Sequence, residues 1–544
     1  MSKWRICLCL LFSTLAFSCA GSEPSESPPN VVLILCDDLG FSDLGCYGGE
    51  ISTPNLDRLS TEGMRFTQFY NDAKCTQTRA ALLGGLYHHQ SNNLITRNHV
   101  TIAEVLQKAG YHTYMVGKWH LGRYSASKPE TWTVDDQPTR RGFDQYFGFL
   151  TGAINFFTGQ EYRSGRNVMV LDEEQFDVPE DFYSTVAFTD QAIQYLNEAA
   201  QEEAPFFLYL AYNAPHFPLH ALPDDIEQYV GRYTAGWDEI RRERYDRMVA
   251  RGIIDAQWPL TPRDEIAPDW NSLTDSQRQE EDLLMAVYAA MVHRLDRGVG
   301  RVLDSLDQLN CAENTVVMFL SDNGGCCWAA NRKPETTPGP AESTRSYDTE
   351  WANVSNTPFR LYKQYSHEGG ISTPFIVRWP GRIEAGSTTN GMGHLIDIMP
   401  TILEASGAAY PDQYNTYSVL PMEGRSLVPV LRGETRPDAP IFWEFNANHA
   451  VRLGRWKLVA ERSKDWELYD MNVDRGELNN LIEVEPEVTA QLSRIYDEWA
   501  ERTGARTHAE CLATNPSSQT CYQHPSTREQ LNRMQALELM NEAP

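Results

Sequence analysis

The apolar positions of this chain fall into short unbroken runs instead of an alternating pattern. "VVLILC" (31–36), "HTYMVG" (112–117), "FFLYLAY" (206–212), "TVVMFL" (315–320) and "PFIVRW" (374–379) carry almost no polar side chains. Runs of that length read as strands buried on both faces, as in a mostly parallel sheet. Between them the period lengthens to that of helices. "TPNLDRLSTEG" opens with a Thr cap and Pro at the first helical position, and "TIAEVLQKAG" runs from a Thr cap to a Gly stop. Strands alternating with helices predict an α/β sheet covered on both faces. From about residue 440 the texture changes. "HAVRLGRWKLVA" and "WELYD" read as short antiparallel strands, and "EVTAQLSRIYDEWAE" as an amphipathic helix. The chain therefore divides into a leader and linker (1–29), a main α/β domain (30–435), and a smaller C-terminal α+β domain with its tail (436–544). The stretch 225–280, rich in Arg, Asp and Trp, reads as an insertion over the sheet.

Ligands of such sheets bind beyond the carboxyl ends of the strands. Asp37 and Asp38 follow the first run, Lys118 and His120 the second, His216 the third, and Asp322 and Asn323 the fourth. One aspartate at a strand end is ordinarily a turn or cap residue; charged and imidazole groups at four strand ends mark a site. Asp37, Asp38, Asp322 and Asn323 offer hard oxygen ligands that suit Ca²⁺ or Mg²⁺, with no soft ligand to draw zinc. Adjacent acids at a buried strand end repel unless a cation stands between them. Arg79, Lys118 and Lys363 have no acidic partner beside them in sequence. Converging on a metal, they would form an oxyanion site for sulfate or phosphate. His120 and His216, with imidazole pKa values near ~6.5 when unperturbed, are candidates for proton transfer.

"KCTQTRAALLGG", Lys74 to Gly85, sets Cys75 and Arg79 four apart. On a helix they share a face, with Cys75 at the N-terminus, where free N–H groups favour an anion. Taken alone, the segment fits a small buried cysteine and a surface arginine more simply.

Charge narrows the partners. The 544 residues carry a formal net charge of −27, the opposite of what a nucleic-acid or anionic-membrane binder needs. An anionic substrate would require a local positive pocket. At the N-terminus, Lys3 and Arg5 precede "ICLCLLFSTLAF", a signal-type apolar stretch too short to span a bilayer. Ser18-Cys19-Ala20 permits cleavage after Ala20 or a lipid anchor at Cys19, with Ala16 where a lipobox carries Leu. Either case predicts export, to the periplasm or the cell surface. The eleven cysteines include no C-x-x-C pair, which removes the common zinc and dithiol motifs. Cys511 and Cys521, flanking "LATNPSSQT", are candidates for a disulfide after export.

Together these segments carry a resemblance. "NVVLILCDDLGFSDLGCYGGEISTPNLDRLSTEGMRFTQFYNDAKCTQTRAALLGG" resembles the opening of the formylglycine-dependent (type I) sulfatases. "GYHTYMVGKWHLG", "APHFPLHALPDDI", "FLSDNGG" and "TPFRLYKQYSHEGGISTPFIVRWPG" match further blocks in the family's order, and "LYDMNVDRGELNNL" its C-terminal signature. "GRYTAGWDEIRRERYDRMVARGII" is similar to the bacterial arylsulfatase branch. The resemblance spans most of residues 30–500. It implies an alkaline-phosphatase-like fold, a large mixed and mostly parallel sheet sandwiched by helices, with a smaller C-terminal α+β domain. It implies a sulfuric ester hydrolase acting on aryl or carbohydrate sulfates, with Cys75 converted to formylglycine by a maturation enzyme. The aldehyde hydrate would attack sulfur, and collapse of its second hydroxyl would expel sulfate. By the same match, Asp37, Asp38, Asp322 and Asn323 hold one Ca²⁺. Lys118 offsets sulfate charge, Arg79 stabilises the nucleophile and Asp322 helps deprotonate it. His120 takes the proton that drives release, while His216 and Lys363 face the leaving-group oxygen. The chain departs from the family at Gln77, where Pro is usual, and at Gly84, where Thr is. Two alternatives accompany this expectation: a phosphate or phosphonate ester hydrolase of the same superfamily, and a non-catalytic sulfated-glycan binder with Cys75 unconverted. Loops 125–180 and 225–280 would shape the leaving-group pocket, where Trp132, Tyr162, Tyr233 and Trp237 either stack on a ring or simply pack.

Overall fold

The computed structural model describes residues 27–92, 96–124, 131–328 and 335–514; the leader with Cys19, and Cys521, lie outside them. All five apolar runs are strands. Thr315–Ser321, Asn30–Cys36, Phe206–Ala211 and His112–Lys118 lie side by side in that order and run parallel. Phe375–Arg378 pairs antiparallel with Thr315–Ser321, so the ten-stranded sheet is mixed and mostly parallel at its centre. Because successive side chains point to opposite faces, Val32, Ile34 and Cys36 enter one core while Val31, Leu33 and Leu35 enter the other. The 34-residue helix Asp275–Gln308 covers the first face. The helices Cys75–Gly84 and Ile398–Ser406 cover the second.

Local signals at helix starts are met in two ways. Thr101 caps Ile102–Lys108 with a reciprocal box to Glu104. Thr53 precedes Pro54–Glu62, but its hydroxyl does not cap that helix. It accepts from the Gly45 amide instead, and Asp296 of the long helix takes the Asn55 and Leu56 amides. A distant carboxylate has replaced the local cap.

The 225–280 stretch lies over the sheet through the helix Trp237–Ala250. Its buried Arg244 grips Glu50 at 2.7 Å and Asp43 at 2.6 Å, beside the first strand's exit. Tyr233 and Trp237 pack edge-on against Trp351 in the core, so these two aromatics serve packing. Trp132 packs against Tyr124.

A separate four-stranded antiparallel sheet spans Ile441–Phe445 to Glu467–Asp470, followed by the helix Pro486–Thr503. Fully buried ion pairs join it to the main sheet's loops. Lys457 Nζ lies 3.0 Å from Glu368 and 2.8 Å from Glu477, and Arg475 lies 2.6 Å from Glu368. Burial alone would raise the Glu368 pKa, but Lys457 and Arg475 hold it far below the usual carboxylate range. Cys511 is a buried free thiol whose Sγ faces the Arg506 carbonyl; the expected pairing involves Cys521, outside the described residues. Cys327 is the described cysteine found in a disulfide. Among the described residues no helix is long and apolar enough to cross a membrane.

Replacing Glu368 by Gln leaves Lys457 and Arg475 short of their shared counter-charge. Denaturant unfolding should then show a loss of about 3–5 kcal/mol. A loss below about 1 kcal/mol would mean that the cluster does not hold the two sheets together.

Candidate active site

The strand ends converge. Asp37 and Asp38 follow Asn30–Cys36, Asp322 and Asn323 follow Thr315–Ser321, and Lys118 ends His112–Lys118. Cys75 is the first residue of its helix and Arg79 lies one turn on; both are at most 1% exposed. Arg79 Nη2 contacts Asp322 Oδ2 at 2.7 Å, and Nη1 donates to the Lys118 carbonyl at 3.0 Å. Lys118 Nζ donates to Asp37 Oδ2 at 2.5 Å, and Lys363 Nζ to Asp38 Oδ1. The three cations without acidic neighbours in sequence thus find them across the fold.

His216 Nε2 stands 3.5 Å from Asp38 Oδ2. Its Nδ1 donates to the Phe217 carbonyl at 2.5 Å, which leaves Nε2 as the atom facing the site. His120 Nε2 lies 3.1 Å from Thr76 Oγ1 and against the Cys75 thiol. A Cβ at Gly152 would come within 2.8 Å of that ring nitrogen, so glycine there makes room for the histidine. Asp38 and His120 both hold positive φ, 68° and 55°. Strained backbone of this kind persists where the surroundings over-determine it.

Charge is uneven. Burial alone would raise Asp37, but Lys118, His216, Arg79 and Lys363 hold it well below the carboxylate range. Asp322 is pushed up, by burial and by the charge of Asp37. The Cys75 thiol would rise on burial, yet Lys118, Lys74, His120 and Lys363 bring it well below its ordinary value. Burial lowers His120, and lowers His216 to about 4.

Three buried oxygens in this cluster receive no hydrogen bond: Asp37 Oδ1, Asp38 Oδ2 and Asn323 Oδ1. Buried oxygens without donors are costly unless an ion completes them. Asp37 with Asp38 and His216, and Asp37 with Cys75 and Asp322, have ligand atoms within 4.8 Å of one another. The donor set fits a hard dication.

The Sulfatase family matches residues 29–408, and the C-terminal family of N-sulphoglucosamine sulphohydrolase matches residues 359–501. The chain belongs to the sulfatase family. It is 32% identical to an uncharacterized sulfatase of Schizosaccharomyces pombe, covering 89% of this chain and 96% of that one. It is 34% identical to the arylsulfatase of Klebsiella aerogenes, covering 74% and 92%. Among solved structures, Ps i-CgsB in complex with k-i-k-neocarrahexaose superposes with a TM-score of 0.66 at 25% identity, over 89% of this chain and 94% of the other. The protein is a sulfuric ester hydrolase with the sulfatases' large mixed sheet.

In this sulfatase a cavity of about 550 Å³ opens over Cys75, His120 and His216. Lys74, Tyr162, Arg163, Phe217 and Trp328 line its outer part. Of the four aromatics singled out in the sequence, Tyr162 alone is in this wall. Lys74, Phe217 and Trp328 gave no sequence signal beyond their nearness to Cys75, His216 and the "SDNGG" turn. Clefts of about 840 and 580 Å³ lie elsewhere, lined by none of the strand-end residues.

If the three oxygens hold calcium, Ca²⁺ should raise the thermal midpoint of the wild type, by about 2.7 kcal/mol of stability at a hundredfold excess over Kd. Asp38→Asn should lose most of that gain. An equal calcium response in both proteins would rule these oxygens out as the site.

Proposed function

We propose that the protein hydrolyses sulfate monoesters through a formylglycine made from Cys75, with one Ca²⁺ bound by Asp37, Asp38, Asp322 and Asn323. The observation that carries this reading is one coincidence. A cysteine at a helix N-terminus, with its thiol pKa depressed, sits beside three buried oxygens that receive no donor. The hydrate at position 75 would supply one hydroxyl to attack sulfur and a second whose collapse releases sulfate. The calcium ion would supply fixed positive charge for the sulfate oxygens.

The remaining roles belong to side chains of this chain. Lys118, fixed by Asp37, presents a buried ammonium to the sulfate. Arg79, held by Asp322 and the Lys118 carbonyl, fixes the carboxylate that accepts the nucleophile's proton. His120 stands against residue 75 to take the proton that drives release. On the other side, His216 and Lys363 share Asp38 and attend the leaving-group oxygen. Since Nδ1 of His216 donates to Phe217, its transferable proton is on Nε2. A bound sulfate anion favours that protonated form over the value set by burial alone. Donors aimed where charge develops contribute most in the transition state.

A sulfated carbohydrate is the substrate class best supported, since Ps i-CgsB was solved with k-i-k-neocarrahexaose. The leader 1–29 would export the enzyme, to the periplasm or to the surface through Cys19, after or alongside conversion of Cys75 by a maturation enzyme.

Mass analysis of the Cys75 peptide from the native host should find an aldehyde or its hydrate. The mature enzyme should hydrolyse 4-nitrophenyl sulfate faster than 4-nitrophenyl phosphate. His120→Ala should lower kcat about 10²–10⁴-fold. An intact thiol throughout would sink the mechanism, and a preference for phosphate would move the enzyme to the phosphate and phosphonate hydrolases.

A further inference from the structure

Among the described residues, the charges of Arg79, Lys118, Lys363 and Lys74 bear on Cys75, and the first three of these are spoken for. Arg79, Lys118 and Lys363 each rest on a strand-end or adjacent carboxylate and are almost wholly buried. Lys74 is different. It makes no ion pair among the described residues, and its side chain lies over the face of Trp328, 5.3 Å from the ring centroid. It is only partly buried and lines the outer cavity with Tyr162, Arg163, Phe217 and Trp328.

Its place is also locally unfavourable. Lys74 is the N-cap of the helix Cys75–Gly84, with extended backbone (φ −153°, ψ 138°) and no side-chain cap. Helix N-termini favour anions and disfavour cations; Ser, Thr, Asp and Asn are the usual residues there. The charge of Lys363 bears on Lys74 as well. A residue that works against its own helix and its neighbour marks a functional position. Both penalties are relieved when an anion arrives at the cavity wall. Sulfate deep in the site already has Lys118, with Lys363 at its bridging oxygen, so the anion that Lys74 meets belongs to another part of the substrate.

We propose that Lys74 forms a second anion subsite, so that the enzyme prefers a leaving group bearing a further sulfate or carboxylate, with its ring against Trp328. The proposal rests on the sulfate-ester reading above and specifies its substrate: polyanionic sulfated sugars over singly charged aryl sulfates.

Non-hydrolysable sulfonates test it by direct binding to the mature protein. Calorimetry would compare benzenesulfonate, benzene-1,3-disulfonate and 3-sulfobenzoate on the wild type, Lys74→Met and Lys74→Arg. The wild type should bind at least one dianion about tenfold more tightly than benzenesulfonate, the scale of one charge-assisted contact. Which dianion gains separates sulfate from carboxylate. Lys74→Met should reduce the ratio to about one with benzenesulfonate unchanged, and Lys74→Arg should keep it. Equal ratios in wild type and Lys74→Met would overturn the subsite. So would a loss of benzenesulfonate affinity as large as that of the dianions, which would assign Lys74 to the primary sulfate. Failure to hydrolyse 4-nitrophenyl sulfate, with Lys74-dependent dianion binding intact, would fault the hydrolase reading and leave the subsite standing.

Discussion

Register between two parallel strands governs this molecule. Asn30–Cys36 and Thr315–Ser321 pair residue for residue, with Cys36 opposite Ser321. The next residues, Asp37 and Asp322, therefore emerge side by side, and Asp38 donates its backbone N–H to Asp322 Oδ1 at 3.2 Å. Carboxylates packed together away from water repel strongly, because little solvent screens them. The chain answers with cations from three other elements: the helix behind Cys75, the end of a third strand, and the loop before Phe375–Arg378. Each is fixed by the acid it offsets, so the charges are held in place before any substrate enters.

That arrangement explains why the site needs so large a scaffold. A small domain could present one acid and one base on neighbouring loops. Here four parallel strands deliver their carboxyl ends to one spot, and helices on both faces keep water from the pairs. The helix starting at Cys75 joins this system through Arg79, and through Thr78, whose hydroxyl donates to the Asp322 carbonyl at 2.6 Å. Position 75 is thereby tied to the strand end that carries Asp322, with no covalent link between them. The geometry of the cluster follows from the same contacts that settle the buried charge.

Much of this could be read from the sequence because its causes are local. Continuous apolar runs announce strands buried on both faces, and the acids at their ends stand out because turn residues were expected. Partnerships were not legible. Arg79 meets an acid 243 residues away, and Lys363 one 325 residues away, distances over which no periodicity operates. The same limit explains Thr53, whose capping role passed to Asp296, and Tyr233 and Trp237, whose rings turned to Trp351. Spacing suggested Cys511 for a disulfide; it is a buried thiol beside the Arg506 carbonyl. Lys74 and Trp328 come together only when the segment after the fourth strand folds back over the helix start.

The buried knot of Glu368, Lys457, Arg475 and Glu477 bears on how such enzymes can diversify. Glu368 sits five residues beyond Lys363, a proposed leaving-group contact, and opens the short helix Glu368–Ile371, while its counter-charges Lys457 and Arg475 come from the C-terminal domain. An exchange of that domain between relatives would leave an acid stranded in the interior unless its basic partners travelled with it. Recombination is thus confined to pieces that keep acid and bases together. Novelty has freer access at the cavity rim, where Tyr162, Phe217 and Trp328 carry no charge.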